Sequence, residues 1–172
     1  MTSARELTVA TPTDREIVLT RAFEAPSGLV FAALTTPELL MRWFGAQGWN
    51  LVVCRVDLRV GGVWRFVSRG PGGAEMGQGG TYRVIAPPER LTYTETFDDQ
   101  SYPGESVVSH ALAEDAGTTT LTTTVLYPSR EARDIVLRYP MARGVGEAYE
   151  RLDEVLVQPE EKEPGKRTGE NQ

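Results

Sequence analysis

The hydrophobic pattern divides the chain into a strand, two short helices, a run of strands and a long helix. Residues 16–24 alternate between apolar and polar side chains, which is typical of a strand with one buried face. Pro26 and Pro37 each open a short stretch whose apolar residues share one helical stripe, and proline is favourable at a helix start. We therefore expect two short helices directly after the first strand.

From Trp49 to Tyr127 the chain reads as strands and turns. Clusters of glycine, proline and aspartate interrupt the apolar segments at short intervals, and such clusters mark turns. Because short turns join strands that run in opposite directions, this region favours an antiparallel meander. The strands are expected at residues 51–58, 63–69, 75–86, 90–97, 106–114 and 118–127.

After Pro128 the hydrophobic period returns to that of a helix. Ser129 is expected to cap a short helix at residues 130–139, which Pro140 interrupts. The following residues predict a long amphipathic helix, and its two glycines indicate a close approach to the sheet. Its apolar stripe consists of Met141, Val145, Ala148, Tyr149, Leu152, Val155 and Leu156.

The two ends of the chain lack such periodicity. Residues 1–14 mix threonine, serine, alanine and proline, and we expect them to be a flexible lead-in. Residues 158–172 have no apolar side chain beyond prolines, so they cannot offset the entropy of ordering and should be a disordered tail. One domain is therefore expected at residues 15–157.

Five segments carry a resemblance to a known family. One of them, VDLRVGGVWRFVSRGPGG at residues 56–73, contains the pattern Asp-x-Arg-x-Gly-Gly-x-Trp-x-Phe, which is filled by Asp57, Arg59, Gly61, Gly62, Trp64 and Phe66. The other four lie at residues 19–45, 79–97, 117–134 and 149–156. Together they resemble the activator of heat-shock-protein-90 ATPase homologue-like family, a branch of the START-related, birch-pollen-allergen-like superfamily.

The resemblance covers about residues 15–157 and implies a fold. That fold is the helix-grip fold of the α+β class, in which a curved antiparallel sheet wraps around a long C-terminal helix. With the strands expected from the pattern, the sheet would have about six to seven strands. Two short helices would follow the first strand.

The resemblance also implies a cavity, but it does not imply one activity. Relatives stimulate a chaperone's ATPase, and other branches of the superfamily carry lipids, bind hormones or cyclise polyketides. We take binding of a small apolar, aromatic or lipid-like molecule as the first hypothesis. The alternatives are a polyketide-cyclase-like enzyme and a protein-interaction module with a chaperone partner.

Two polar residues stand out on the predicted inner face of the sheet. Glu95 lies between Tyr93 and Phe97, and His110, the only histidine, lies on the next strand. As cross-strand neighbours they could act as an acid/base pair with shifted pKa values. A role in hydrogen bonding to a ligand and a purely structural role are the alternatives.

Alternation along the strands predicts which side chains line the cavity. The expected wall is rich in aromatic residues with few polar groups, as small-molecule pockets are. Its predicted members are Trp43, Phe44, Trp49, Trp64, Phe66, Tyr82, Tyr93, Glu95, Phe97, His110, Met141, Val145 and Tyr149. The residues expected to face solvent between them are Thr92, Thr94 and Thr96.

Composition narrows the classes of partner. The net charge of -6 argues against nucleic acid, because phosphate binding requires a basic face. Cys54 is the single cysteine and there is one histidine, so no metal site or internal disulfide is expected, and no motif indicates a cofactor. No apolar stretch is long enough for a membrane span. A cytoplasmic monomer or homodimer is the expectation.

Overall fold

The computed structural model describes residues 5–99 and 101–157 as an antiparallel sheet with four helices. The strands are β1 (Thr8–Ala10), β2 (Glu16–Phe23), β3 (Asn50–Val56), β4 (Val63–Arg69), β5 (Glu75–Ala86), β6 (Arg90–Phe97), β7 (Ser106–Asp115) and β8 (Thr118–Leu126). The helices are α1 (Ser27–Thr35), α2 (Pro37–Trp43), α3 (Arg130–Leu137) and α4 (Met141–Val157), and a 3₁₀ turn lies at Pro71–Gly73.

The sheet has the topology that the hydrophobic pattern predicts. Its strand order is β1-β2-β8-β7-β6-β5-β4-β3, so the strands from β3 to β8 form a continuous meander. β8 returns to pair with β2 along its whole length, from Glu16 opposite Leu126 to Phe23 opposite Thr119. The prediction of an α+β helix-grip fold is confirmed.

The sheet has eight strands, which is more than the six to seven predicted. The additional strand, β1, pairs with β2 inside the segment that was expected to be a flexible lead-in. That expectation is wrong for Thr8–Ala10, because backbone pairing with an exposed edge does not require a long alternating pattern. The expected disordered tail at residues 158–172 lies outside the described residues.

The two short helices close one end of the sheet. The carboxylate of Glu114 on β7 accepts hydrogen bonds from the backbone nitrogen and the hydroxyl of Ser27, at 2.8 and 3.1 Å, and so satisfies the start of α1. The indole nitrogen of Trp43 in α2 donates to the Ala33 carbonyl of α1 at 2.9 Å. At the other end, Ser129 caps α3 as predicted, by accepting from the Ala132 nitrogen at 3.0 Å.

The second half of α4 is held against the sheet by a buried ion pair. Arg21 on β2 is 5% exposed, and its guanidinium donates to both carboxylate oxygens of Asp153, at 2.8 and 2.6 Å. The same guanidinium lies 4.6 Å from the centre of the Phe23 ring. A buried guanidinium needs such an acceptor, so the pair fixes α4 relative to β2.

A second arginine joins α4 to the loop that follows α2. Arg151 donates to the carbonyls of Gly45 and Trp49, at 3.1 and 3.0 Å, and to the side-chain oxygen of Asn50 at 3.1 Å. Around these contacts the helix buries its apolar stripe, which here consists of Leu152, Val155 and Leu156.

The first half of α4 packs less closely than the second. Met141, Gly144 and Val145 keep part of their surface accessible, whereas Leu152 is fully buried. Large side chains of the sheet point toward these residues, but the first half of α4 does not pack tightly against them. This difference along one helix leaves an internal space between the sheet and the first turns of α4.

Replacing Asp153 with asparagine should destabilise the protein, because the buried charge of Arg21 would lose its ionised partner. We expect the free energy of unfolding, measured by urea denaturation, to fall by about 2–3 kcal/mol. Asp98→Asn is the matched control, because Asp98 accepts from Arg65 with the same bidentate geometry (2.7 and 2.6 Å) in an exposed position. Equal losses in the two variants would contradict an anchoring role for the buried pair.

Candidate ligand cavity

A cavity of about 350 Å³ lies between the inner face of the sheet and the first half of α4. This volume falls in the range of small-molecule sites. All of its lining residues from α4 lie between Met141 and Tyr149, the less closely packed part of the helix. The predicted wall residues that line it are Trp43, Phe44, Trp64, Phe66, Tyr82, Tyr93, Glu95, Phe97, His110, Met141, Val145 and Tyr149.

The predicted position of Trp49 is wrong. Trp49 does not line the cavity. Its indole occupies the space in which a side chain at Gly70 would lie, at the end of β4. The missing side chain of this glycine gives the indole a packing surface that the hydrophobic pattern of β3 does not reveal.

The cavity opens beside the start of α4. Ala46 and Gly144 line both the cavity and a surface groove that also includes Gln47 and Glu147. A Cβ atom on Gly144 would lie 3.6 Å from the Cβ atom of Ala46, so the gap between helix and loop is narrow. The backbone nitrogen of Gln47 donates to Glu147 at 3.0 Å, which holds the pKa of this partly exposed carboxyl below its usual range.

Aromatic rings form much of the wall. The ring centres of Trp64 and Phe66 lie 4.9 Å apart, those of Trp64 and Tyr93 5.1 Å apart, and those of Phe44 and Phe66 5.0 Å apart, all near edge-to-face. Such contacts stabilise the rings against one another. The indole nitrogen of Trp64 donates to the Thr94 carbonyl at 3.1 Å, so its hydrogen-bonding demand is already met within the sheet.

Two of the threonines expected to face solvent are buried instead. Thr92 is 9% exposed and Thr94 is 2% exposed. The hydroxyl of Thr94 accepts from the backbone nitrogen of Thr81 at 3.0 Å, in place of a backbone carbonyl. Hydrophobic alternation cannot predict a side chain that replaces a backbone partner, which explains the difference for Thr94. The Thr92 hydroxyl instead donates to the Ser109 hydroxyl at 3.2 Å.

Glu95 presents a carboxyl group to the cavity. The amide nitrogen of Gln78 donates to its Oε2 atom at 2.7 Å, whereas Oε1 has no donor among the residues that the structure describes. Burial raises the pKa of Glu95 to about 7, and the hydrogen bond from Gln78 opposes that change. The group therefore changes its charge near neutral pH.

His110 belongs to a chain of hydrogen-bonded side chains. Its Nε2 atom lies 2.9 Å from the Tyr93 hydroxyl, and its Nδ1 atom lies 2.8 Å from the Thr123 hydroxyl, which also bonds to Tyr149 on α4. Burial lowers the pKa of His110 to about 4, so the imidazole is neutral at pH 7. Both ring nitrogens have protein partners.

The predicted contact between Glu95 and His110 is not formed. In the register of β6 and β7, Glu95 lies opposite Ser106 and His110 lies opposite Leu91. The two residues line one cavity, but they lie four positions apart along the paired strands. Sequence alternation predicts the face on which each side chain lies, and it does not determine the register between the two strands. They are separate polar groups rather than a coupled acid/base pair.

Gln78 and Thr123 complete the polar part of the wall. Alternation places both on the inner face, but neither residue type by itself marks a site. Met76 and Ala46 also line the cavity. Met76 has the same alternation as Gln78 along β5, whereas the position of Ala46 depends on the loop after α2, for which the sequence carries no periodic signal.

Other chemistry is sparse in the described residues. Within residues 5–99 and 101–157, no three His, Cys, Asp or Glu side chains come together as metal ligands. The helices of this part of the chain include none that is long and apolar enough to cross a membrane. Burial, followed by the charge of Glu38, raises the pKa of the Cys54 thiol to about 11, so the reactive thiolate is disfavoured.

Glu95→Gln should gain stability relative to the wild type as the pH rises. The folded-state pKa of Glu95 lies above its usual 4.5, so the wild type loses stability between about pH 4.5 and pH 7, whereas glutamine does not titrate. Over this window the difference in unfolding free energy should shift by about 2–3 kcal/mol in favour of the variant. Urea denaturation across the pH range measures it.

Glu154→Gln, at an exposed position on α4, controls for the substitution itself. A difference between Glu95→Gln and wild type that does not change with pH would show that the carboxyl group is not desolvated in the folded protein.

Solved structures of the same fold come from several bacteria. A protein from Rhodobacter sphaeroides is 35% identical with a TM-score of 0.83, covering 88% of this chain and 98% of that one. A protein from Nitrosomonas europaea is 25% identical with a TM-score of 0.78, covering 88% and 99%. A protein from Mycobacterium smegmatis is 24% identical with a TM-score of 0.77, covering 87% of this chain and 96% of that one.

A comparison with curated proteins finds no match. The model of one protein family, described as Activator of Hsp90 ATPase homolog 1-like protein, matches residues 24–157. This range contains α1 to α4 and six of the eight strands, β3 to β8, and the fold is START-like, of the ligand-binding type. The chain belongs to the family of Activator of Hsp90 ATPase homolog 1-like proteins.

Proposed function

We propose that this protein binds a small apolar or aromatic molecule in the cavity beneath the first half of α4. The observation that carries the proposal is the cavity itself, about 350 Å³ of space bordered mainly by aromatic and aliphatic side chains. Protein interiors are normally packed to crystal density, so a space of this size calls for an explanation. Burial of an apolar ligand there would be favoured by the hydrophobic effect.

Of the two residues considered for proton transfer, Glu95 alone keeps a free basic atom among the described residues, and it lacks a second catalytic group in contact with it. A general base needs a free basic atom within reach of the substrate proton. Both nitrogens of His110 already have protein partners, and Glu95 is not in contact with His110. The polyketide-cyclase-like alternative would use Glu95 or His110 for proton transfer. His110 has no free ring nitrogen and Glu95 has no imidazole partner, so this alternative has less support than a binding function.

The gap between α4 and the loop after α2 supports ligand exchange. Gly144 faces Ala46 across this gap, and Gly146, one half-turn along, has no atom near its missing side chain. The two glycines thus offer a matched pair of positions on one helix. A leucine at 144 would project into the entrance, whereas a leucine at 146 would not.

The test uses prodan, a neutral naphthalene whose fluorescence depends on the polarity around it. Wild type should bind prodan saturably, with a blue shift and an increase in intensity. Gly144→Leu should weaken binding at least tenfold, because the side chain narrows the entrance. Gly146→Leu should bind as wild type does, although both variants gain helix propensity of about 0.5–1 kcal/mol.

Thermal unfolding of both variants confirms that each is folded before binding is compared. Absence of saturable prodan binding by wild type, or equal loss of binding in the two variants, would contradict the proposal.

A second candidate function is interaction with a chaperone of the kind that the family name describes. The observation that favours it is a set of exposed apolar side chains in the β3–β4 connection and at the start of β4, where Leu58, Val60 and Val63 are 41%, 66% and 59% exposed. Exposed apolar groups that lie together are typical of protein-binding surfaces.

The double variant Val60→Ser, Val63→Ser separates the two candidates. If the second function holds, wild type and Gly144→Leu stimulate the ATPase activity of an Hsp90 chaperone, and the double variant loses most of that stimulation. If wild type leaves the ATPase rate unchanged, this candidate is discarded and the binding proposal is unaffected.

A further inference from the structure

We propose that the preferred ligand of the cavity is an apolar amine, whose protonated nitrogen pairs with the Glu95 carboxylate among aromatic rings. This inference rests on the proposed small-molecule function and names the chemical class of the ligand. Three features of the wall carry it: its charge, the free carboxylate oxygen and the surrounding rings.

The charge of the wall excludes anionic ligands. Glu95 is the only acidic residue among the described residues that line the cavity, and none of them is a lysine or arginine. His110 is neutral at pH 7, so it supplies no positive charge. A ligand carboxylate or phosphate would therefore lose its hydration without gaining a cation, and would lie in the same cavity as a like charge.

The free oxygen of Glu95 requires a donor. Gln78 orients the carboxyl group through Oε2, and no described residue donates to Oε1. Half-buried acceptors of this kind are normally satisfied by a protein group, a water or a ligand. An ammonium group has several N–H donors and the opposite charge, so it meets both requirements at once.

The rings around Glu95 strengthen the preference for a cation. Tyr93 and Phe97 flank Glu95 on the same face of β6, and Tyr93 makes edge-to-face contacts with Trp64 and Tyr82. Aromatic faces attract alkylammonium groups through their quadrupole, and the attraction is stronger where water is excluded. A neutral alcohol could bond to Glu95 but would not gain this attraction.

The other groups that face Glu95 remain uncharged near neutral pH. They are Gln78 on β5, Ser106 opposite on β7, Tyr93 on the same strand and the more distant tyrosines Tyr102 and Tyr127. Burial raises the pKa of each of the three tyrosines above its usual value. On α4, the lining residues are Met141, Gly144, Val145, Ala148 and Tyr149, and burial raises the pKa of Tyr149 as well. Glu95 is thus the group whose charge changes between pH 6 and pH 8.

Affinity for an amine should therefore rise with pH. With a pKa of about 7, the ionised fraction of Glu95 increases about tenfold from pH 6 to pH 8, while an alkylamine stays protonated. Binding of an amine to wild type should strengthen by about the same factor over this range. A neutral alcohol of the same shape should show no such increase.

The experiment compares 4-phenylbutylamine, 4-phenylbutan-1-ol and 4-phenylbutanoate by displacement of prodan at pH 6, 7 and 8. Wild type should bind the amine at least tenfold more tightly than the alcohol at pH 8, and the carboxylate most weakly. Glu95→Gln should lose the preference for the amine over the alcohol and the pH dependence of amine binding. Glu154→Gln should behave as wild type does.

The outcomes separate this inference from the proposed function. If prodan binds but the amine binds no more tightly than the alcohol, the amine class is wrong and the cavity function stands. If the alcohol binds more tightly and depends on Glu95, the ligand is a neutral donor and the inference is overturned. If prodan fails to bind wild type, both proposals fall together. The comparison of probes on wild type decides the question even if Glu95→Gln does not fold.

Discussion

The attachment of α4 by its second half is the constraint on which the rest of the structure depends. The buried Arg21–Asp153 pair and the contacts of Arg151 fix residues 151–157 to β2 and to the loop after α2. The first turns of the helix therefore lie farther from the sheet than its second half does. Large inward side chains such as Trp64 and Tyr82 keep the sheet and helix apart. Together these contacts account for the cavity between the sheet and the first half of α4.

The cavity wall contains two polar elements with different roles. His110, held between Tyr93 and Thr123, links three strands and, through Tyr149, the helix, so it stabilises the wall. Glu95 is bonded on one side only and faces the space. Their pKa values are displaced in opposite directions by the same cause, burial. Between about pH 4.5 and pH 6.5 their effects on stability oppose each other, because the histidine favours folding as the pH rises and the glutamate disfavours it.

Sequence reasoning predicted the fold and most of the cavity wall because both depend on periodicity. Trp64 and Phe66 are two residues apart on one strand, and a period of two places them on one face whatever the partner strand does. The Glu95–His110 contact was wrong because it required the register between β6 and β7, which alternation does not determine. The positions of Trp49 and Thr94 were also predicted wrongly, for a related reason. The placement of each side chain depends on one neighbour, Gly70 for Trp49 and Thr81 for Thr94, that comes close only in the folded chain. β1 has too few residues to show any period.

The methionine methyl groups offer the most direct measurement of ligand binding in the cavity. Met76 and Met141 line the space, and Met76 is also 38% exposed, whereas Met41 is 43% exposed on α2 and does not line the cavity. We would label the methionine methyl carbons with ¹³C and follow their NMR signals during titration with prodan. Saturable shifts of Met76 and Met141 with an unchanged Met41 are the predicted result. Unchanged signals for both lining residues, or shifts of Met41 alone, would contradict binding beneath α4.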